Sequence, residues 1–360
     1  MQELTTRLLL WMHGKEAPPL RIDINPTDYC NLKCISCWQR NERFEGRLDS
    51  KWYEVSDERL LALVDEAKEL GIKTWEITGG GEPLIRKNLI LQLPEKIKHN
   101  HMTGNITTNG TLFSQNMIRH LVRINWDCIT FSIDGHNEKM HDYLRGSPNA
   151  FRKAIEALKH INKEKSITKS NKPQIAVNVV LSNKNYDTLD KMILLAQKYA
   201  CEFIKFEPIT IHSKVGINLK LSEENILKLQ QNIPLVEKLA KSYDIKTNLC
   251  HLLDTNLVNK SNHISRVKPK YKNPFLSLPC YEPWYHMVIK VDGTVGPCCI
   301  YDKKKLNIKN KTLAEIWYSR YFARLRKNIL KNKIPDFCKI CNAGQVVENN
   351  IIREHLNKQI

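Results

Sequence analysis

Three cysteines crowd the stretch DYCNLKCISCWQR, residues 28 to 40, where Cys30, Cys34 and Cys37 fall at the spacing C-x3-C-x2-C. Thiolates this close in sequence can hold a metal centre, and both iron-sulfur cubes and structural zinc sites take four ligands. One coordination position is left for something else to fill. A second group, Cys280, Cys298, Cys338 and Cys341, runs C-x17-C, then 39 residues, then C-x2-C. Four thiolates brought together by a hairpin and a helix complete a site by themselves, either a cluster or a zinc ion. They also tie down a segment too small to have a core. A third signal is TGGGEPL, residues 78 to 84. Gly79, Gly80 and Gly81 let the backbone come close to a ligand, and Glu82 can accept hydrogen bonds from an ammonium group.

The elements that position these residues alternate along the chain. Short β-branched runs are separated by amphipathic helical stretches, the pattern of βα units around a parallel sheet. RIDIN (21 to 25), KTWEIT (73 to 78), GNITTNG (104 to 110), CITFSID (128 to 134), QIAVNVVL (174 to 181) and FIKFEPI (203 to 209) read as strands. After the first strand, SDERLLALVDEAKELG reads as a helix capped by Ser56, buried along Leu60, Leu63, Val64 and Ala67, and ended by Gly71. Six such units predict an α/β fold with a partial (β/α)6 barrel of the TIM type. The first cysteine loop then leaves the carboxyl edge of the sheet, where barrel active sites lie. A long helix is expected over about 221 to 243, and polar residues 254 to 275 read as a linker or covering loop. Beyond it the period changes: residues 285 to 299 alternate around Asp292-Gly293, a hairpin signal. Residues 312 to 330 read as one helix with Leu313, Ile316, Trp317 and Phe322 or Ala323 inward. The expected organisation is an N-terminal extension (1–20), the barrel (21–245), a linker or covering loop (246–279), a small cysteine-rich hairpin and helix domain (280–345) and a tail (346–360). Cys128, Cys201 and Cys250 fall on strands or apolar stretches and read as small core residues, and Cys299 as a spare beside Cys298.

A chain of 360 residues with 42% hydrophobic residues buries a large core and is not disordered. Its 56 Lys and Arg against 38 Asp and Glu give a net charge of +18, which attracts phosphates, acidic peptides or anionic surfaces, or only keeps helix faces solvated. No run of 18 apolar residues and no signal peptide is present, which places the chain in the cytoplasm. There its eleven cysteines are better metal ligands than disulfides.

The C-x3-C-x2-C loop followed one βα unit later by TGGGEPL resembles the radical S-adenosylmethionine (SAM) superfamily. That resemblance implies a 4Fe-4S cube on Cys30, Cys34 and Cys37 whose open iron is chelated by SAM, with Glu82 accepting from the methionine amino group. FSIDGHNEKMHDYLRG, residues 131 to 146, is similar to the family's fourth-strand segment and assigns SAM contacts to Ser132, Asp134 and Arg145. Asn178 on the fifth strand either reaches the ribose or is a buried polar residue satisfied by backbone. The chain departs from the family before its third cysteine, where Ser36 replaces the usual aromatic residue and Trp38 follows. DGTVGPC, LAEIW and CKIC resemble the SPASM and twitch extensions of the same enzymes. With five cysteines rather than seven there, one auxiliary 4Fe-4S cluster is the expectation, a zinc site with four cysteine ligands the alternative.

The family chemistry implied is reductive cleavage of SAM by one electron from a flavodoxin- or ferredoxin-type donor, giving a 5'-deoxyadenosyl radical that takes a hydrogen atom from the substrate. A full set of auxiliary thiolates points to relay of the substrate's electron, and Glu207, His212 and Glu282 are candidate acceptors of its proton. The peptide-recognition domain of many relatives has no room before Asp23, which favours a small molecule or a peptide delivered by another protein. A nucleic-acid-binding iron-sulfur or zinc protein is the alternative from another class. Against it, the lysines are scattered and no segment interleaves aromatics with a basic stripe.

Overall fold

The structure, a computed structural model, describes residues 1–40, 53–211, 213–253, 271, 273–301, 306–341 and 343–359. Among the described residues nine strands make one sheet: β1 (Arg21–Ile24), β2 (Thr74–Ile77), β3 (Thr103–Thr108), β4 (Cys128–Ser132), β5 (Gln174–Leu181), β6 (Phe203–Pro208), β7 (Lys246–Thr247), β8 (His286–Ile289) and β9 (Val295–Gly296). Their order is β7-β6-β5-β4-β3-β2-β1-β8-β9, parallel throughout except for the final β8/β9 hairpin. This is the expected partial barrel, extended on both sides. β7, inside the stretch read as linker, adds to β6, and β8 adds to β1 with Arg21 opposite His286. Of that linker, residues 254–270 and 272 lie outside the described residues.

The helices are α1 (Gln2–Met12), α2 (Asp57–Leu70), α3 (Lys87–His99), α4 (Gln115–Arg123), α5 (Glu138–Arg145), α6 (Ala150–Thr168), α7 (Leu189–Lys198), α8 (Glu223–Ser242), α9 (Leu313–Trp317), α10 (Arg320–Leu330) and α11 (Ala343–Asn357). α2 forms as its sequence requires. The Ser56 hydroxyl accepts from Arg59 N, and Gly71 closes the helix in the left-handed conformation at φ 85°. The stretch 312 to 330 is two helices rather than one. Thr312 caps α9 in a capping box with Glu315, and Ser319 starts α10 by accepting from Phe322 N. A side chain that can bond its own backbone competes with helix continuation, and Ser319 does so here. Phe322, not Ala323, turns inward.

Period-2 alternation divides the barrel strands into two faces. Ile22, Ile24, Trp75, Ile77, Ile106, Ile129, Phe131, Ile204 and Phe206 are buried against the helices. The alternate positions, Asp23, Glu76, Asn105, Thr107, Thr130, Asn178, Lys205 and Glu207, face inward and are polar. Most barrels fill that interior with branched apolar side chains; this one keeps it hydrophilic. A second core joins α1, residues 275 to 285, α10 and α11 around Leu8, Phe275, Tyr281, Trp284 and Leu356. The segment read as a tail is therefore largely the packed helix α11. No described helix is long and apolar enough to cross a membrane.

β8 is held to the barrel by a buried charge cluster as well as by its ladder. His286 is 3% exposed; its Nε2 stands 2.9 Å from Asp23 Oδ1 on β1, and its Nδ1 bonds Glu282. Burial alone would lower the imidazole pKa, but the Asp23 and Glu282 carboxylates outweigh it and raise it to about 9. A pKa raised on folding adds stability that is complete below the unfolded value near 6.5 and disappears as pH climbs through the folded one. Thermal denaturation followed from about pH 7 to about pH 9.5 is thus expected to show falling Tm, with the slope in that window flattened in His286→Asn.

Candidate functional site

The first cysteine loop leaves β1 at the carboxyl edge and is docked against the glycine turn that leaves β2. Gly81 N donates to Thr27 O at 2.8 Å and Glu82 N to Tyr29 O at 2.7 Å. Gln39, buried, donates from its one amide to Asp28 O at 2.6 Å and Gly80 O at 2.9 Å. The approach is so close that a Cβ on Gly80 would lie 1.7 Å from Asp28 Oδ1, and one on Gly81 1.9 Å from Tyr29 O. At Gly81, where the obstacle is backbone, glycine is required by the neighbouring loop itself, whatever ligand the turn also meets; at Gly80 it is the Asp28 side chain that would have to move. On its other side the loop is tied to the end of α5, Ile35 N donating to Leu144 O at 3.0 Å and Lys33 N to Arg145 O at 3.3 Å.

Glu82 is 2% exposed and takes three protein donors: Leu84 N at 3.1 Å, Thr108 Oγ1 at 2.7 Å and Asn109 N at 2.8 Å. Burial pushes its pKa up despite these bonds. The carboxylate thus fastens the end of β2 to the end of β3, a role the sequence reading left out. Asn109 then reaches the cysteine loop, its amide 3.0 Å from Asn31 Oδ1 and 4.0 Å from Cys30 Sγ. Asp134 and Arg145 come together as a buried ion pair, Nε to Oδ2 2.9 Å. Arg145 Nη1 also lies 3.9 Å from Cys34 Sγ, so one guanidinium serves both a carboxylate and a thiol. Asp134 is further held by Val180 N at 2.8 Å, and buried His141 accepts from Asp134 N at 3.2 Å. Burial and Arg145 keep that imidazole neutral, its pKa lowered to about 3. Ser132 ends β4 opposite Asn178.

None of the eleven cysteines forms a disulfide with another. Burial pushes the Cys30 thiol up to about 11, and Cys34, Glu82 and Cys37 are near enough to add to it. In the second group burial again comes first. Cys280 is then raised by Glu282, Cys298 and Cys341, and Cys298 by Cys299, Glu282 and Cys338. The four are therefore neighbours in space. Cys299 is exposed, as is Cys250, which departs from its reading as a core residue. Among the described residues no three metal-ligating side chains converge as around a single ion. Cys280 precedes β8, which runs parallel to β1, and Cys298 follows β9, which runs back. The second group accordingly lies at the amino edge of the sheet, at least the length of β1, roughly 13 Å, from the first.

Between the two edges is a cavity of about 340 Å³ lined by Arg21, Asp23, Glu76, Asn105, Asn178, Lys205 and Glu207 among others, with Gln345 and Glu348 of α11 at its margin. Of the candidate proton acceptors, Glu207 lines it but is paired with Lys205 at 2.6 Å. Glu282 is buried outside it among His286, Tyr285 and Gln345. His212 lies outside the described residues. Glu76, which the sequence reading passed over, lines the cavity and has the Asn105 amide at 2.8 Å as its hydrogen-bond donor. Asn178 is not satisfied by backbone: its amide reaches Glu207 at 3.5 Å, and its buried Oδ1 has no hydrogen-bond partner.

Residues 24–196 match the radical SAM superfamily and residues 280–342 an iron-sulfur cluster-binding domain, SPASM. GTP 3',8-cyclase of Clostridium botulinum is 25% identical over 307 residues, covering 84% of this chain and 87% of that protein. The tungsten-containing aldehyde ferredoxin oxidoreductase cofactor-modifying protein of Pyrococcus furiosus is 25% identical over 341 residues, covering 88% and 85%. In fold, Streptococcus suis SuiB bound to S-adenosylmethionine superposes with a TM-score of 0.65 at 18% identity, covering 95% of this chain and 74% of that one. These matches carry the enzyme reading and lend nothing to a nucleic-acid-binding one. With two thiol sets at opposite edges of a polar barrel and an orphaned amide oxygen between them, the chain is a radical SAM enzyme with a SPASM domain, a family whose cofactors are 4Fe-4S clusters and SAM.

Proposed function

We propose that the enzyme oxidises a small polar substrate held in the cavity between its two cysteine groups, with Cys30, Cys34 and Cys37 binding the cube that meets SAM. Cys280, Cys298, Cys338 and Cys341 would bind an auxiliary cube. The observation that carries this is the cavity itself, placed between both edges and lined with hydrogen-bonding groups. About 340 Å³ lies at the small end of ligand sites, room for a compact molecule and not for a folded peptide segment. SuiB has also been solved with its precursor peptide SuiA, so a peptide side chain entering the barrel is the second reading. Cys30, Cys34 and Cys37 would hold the cube that meets SAM, and together these would supply the one-electron chemistry that removes a hydrogen atom from the substrate.

The chain's own residues do the rest. The Gly79 to Gly81 turn, with Glu82 beneath it, would present backbone to SAM, and Ser132 and the Asp134–Arg145 ion pair would complete that wall. Asn178 Oδ1 accepts from a substrate hydroxyl or amine. Glu76 takes the proton when the substrate radical gives up its electron: burial, then the Asp23 carboxylate, raise its proton affinity, which suits a general base. We place the enzyme in the cytoplasm, where its thiols stay reduced and a flavodoxin- or ferredoxin-type donor is at hand.

Three outcomes are expected. After anaerobic reconstitution, about eight irons per chain should fall to about four when Cys30, Cys34 and Cys37 are all changed to Ala, and Cys34→Ala alone should abolish SAM cleavage. About four irons plus zinc in the wild type would make the C-terminal site a structural clip. Gly81→Ala cannot keep its turn seated on Tyr29, so iron analysis should show loss at the first site with the second still loaded. Finally, the small-molecule filtrate of a cell extract should stimulate 5'-deoxyadenosine formation, and Glu76→Gln should retain SAM cleavage while yielding about 100-fold less oxidised product or lower. Stimulation confined to the retained macromolecular fraction would favour the peptide reading instead.

A further inference from the structure

The charges that line the barrel cavity do not balance. Asp23, Glu76, Glu207 and Glu348 bring carboxylates to it, against the cations of Arg21 and Lys205. Both cations are already engaged. Arg21 Nε stands 2.9 Å from Asp23 Oδ1 and its Nη1 3.6 Å from Glu348 Oε1, while Lys205 Nζ stands 2.6 Å from Glu207 Oε1. His286, behind the wall, directs its ring nitrogens at Asp23 and Glu282. Glu76 is left with the Asn105 amide, 2.8 Å from its Oε2, and no ion pair joins it to a cation among the described residues. Burial and the Asp23 carboxylate push its pKa up, as befits a carboxylate short of positive charge. Asn178, on β5 and three strands away from β2, lines the same cavity with an Oδ1 that has no hydrogen-bond partner. The two positions left unmet, Glu76 and Asn178 Oδ1, are both acceptors.

We infer that the cavity selects a compact organic cation: an amine, protonated at neutral pH, whose ammonium group seats against Glu76 while a second N–H or O–H of the same molecule donates to Asn178. The inference rests on the reading of the cavity as the substrate site and narrows that substrate to one charge class. A phosphate or carboxylate is disfavoured, because it would face surplus acid with both cations already bonded. A neutral alcohol would meet the hydrogen bonds and leave the Glu76 charge without a counter-ion. An ammonium supplies that charge and several donors at once. The field of the lining works in the same direction: in a chain of net charge +18, an interior rich in acid concentrates cations over anions. At about 340 Å³ there is room for an amine of modest size and none for a long polycation. The same contact serves proton acceptance by Glu76, since the N–H that donates to the carboxylate is the proton nearest to it.

The experiment divides the small-molecule filtrate of a cell extract on a strong cation exchanger at neutral pH into unretained and retained fractions. Each is added to the reconstituted, SAM-loaded full chain, and two readouts are taken: the rise in Tm, which reports binding, and 5'-deoxyadenosine formation. A portion of the retained fraction is first treated with acetic anhydride, which turns amines into neutral amides. The retained fraction is expected to raise Tm and stimulate 5'-deoxyadenosine formation, and acetylation to remove both effects. Glu76→Gln, once its own iron content and unliganded Tm match the wild type, should need at least about tenfold more of the retained fraction for the same rise in Tm, with Glu76→Asp in between. Both effects in the unretained fraction, their survival of acetylation, or an unchanged requirement in Glu76→Gln overturns the inference and leaves the small-substrate reading standing. A filtrate without effect in any form strikes the small-substrate reading itself, and the inference falls with it.

Discussion

The contact of the cysteine loop with the glycine turn is the constraint around which the carboxyl edge is organised. Two backbone hydrogen bonds and the Gln39 amide hold two irregular segments within van der Waals distance, which a side chain at position 81 would prevent. Buried backbone polar groups need partners, and here each loop supplies them to the other. Glu82 extends the same logic by fixing the end of β3, and Asn109 carries it back to Cys30. The thiols are thus positioned by a closed circuit of hydrogen bonds before any metal is considered.

The barrel interior follows a different rule. Its inward positions bear Asp23, Glu76 and Glu207 against Arg21 and Lys205, an acid-rich lining in a chain whose net charge is +18. Burying so many ionisable groups is costly unless they are paired or bonded. Most are: Arg21 with Asp23 at 2.9 Å, Lys205 with Glu207 at 2.6 Å, and Asp23 with His286. Glu76 and Asn178 retain unmet capacity, which marks where a polar ligand is accommodated.

β8 links the two halves of the chemistry. Because it pairs in parallel with β1, the C-terminal cysteines are carried to the edge opposite Cys30, Cys34 and Cys37, with the cavity in between. The Asp23, His286 and Glu282 cluster secures this junction, and α11 packs across it through Glu348, 3.6 Å from Arg21. Excess basic charge, by contrast, is left outside, where α10 presents it to solvent.

Much of this was legible in the amino-acid sequence because it is encoded locally. Cysteine spacing, the Ser56 and Gly71 helix ends, six strands by their period and the Asp292-Gly293 hairpin each depend on neighbours a few residues apart. The two-residue β7 was too short to show a period, and the break between Trp317 and Arg320 hid within a helical pattern. Only the tertiary structure decided what Glu82 bonds, that Asp134 and Arg145 pair with each other, that Asn178 lacks a partner, and that Glu76 rather than Glu282 faces the cavity. Those facts depend on which strands lie side by side and which way each side chain points once they do. The pairing of β8 with β1, more than 260 residues apart in the chain, is a long-range choice made by burial and by the complementary charges of Asp23 and His286.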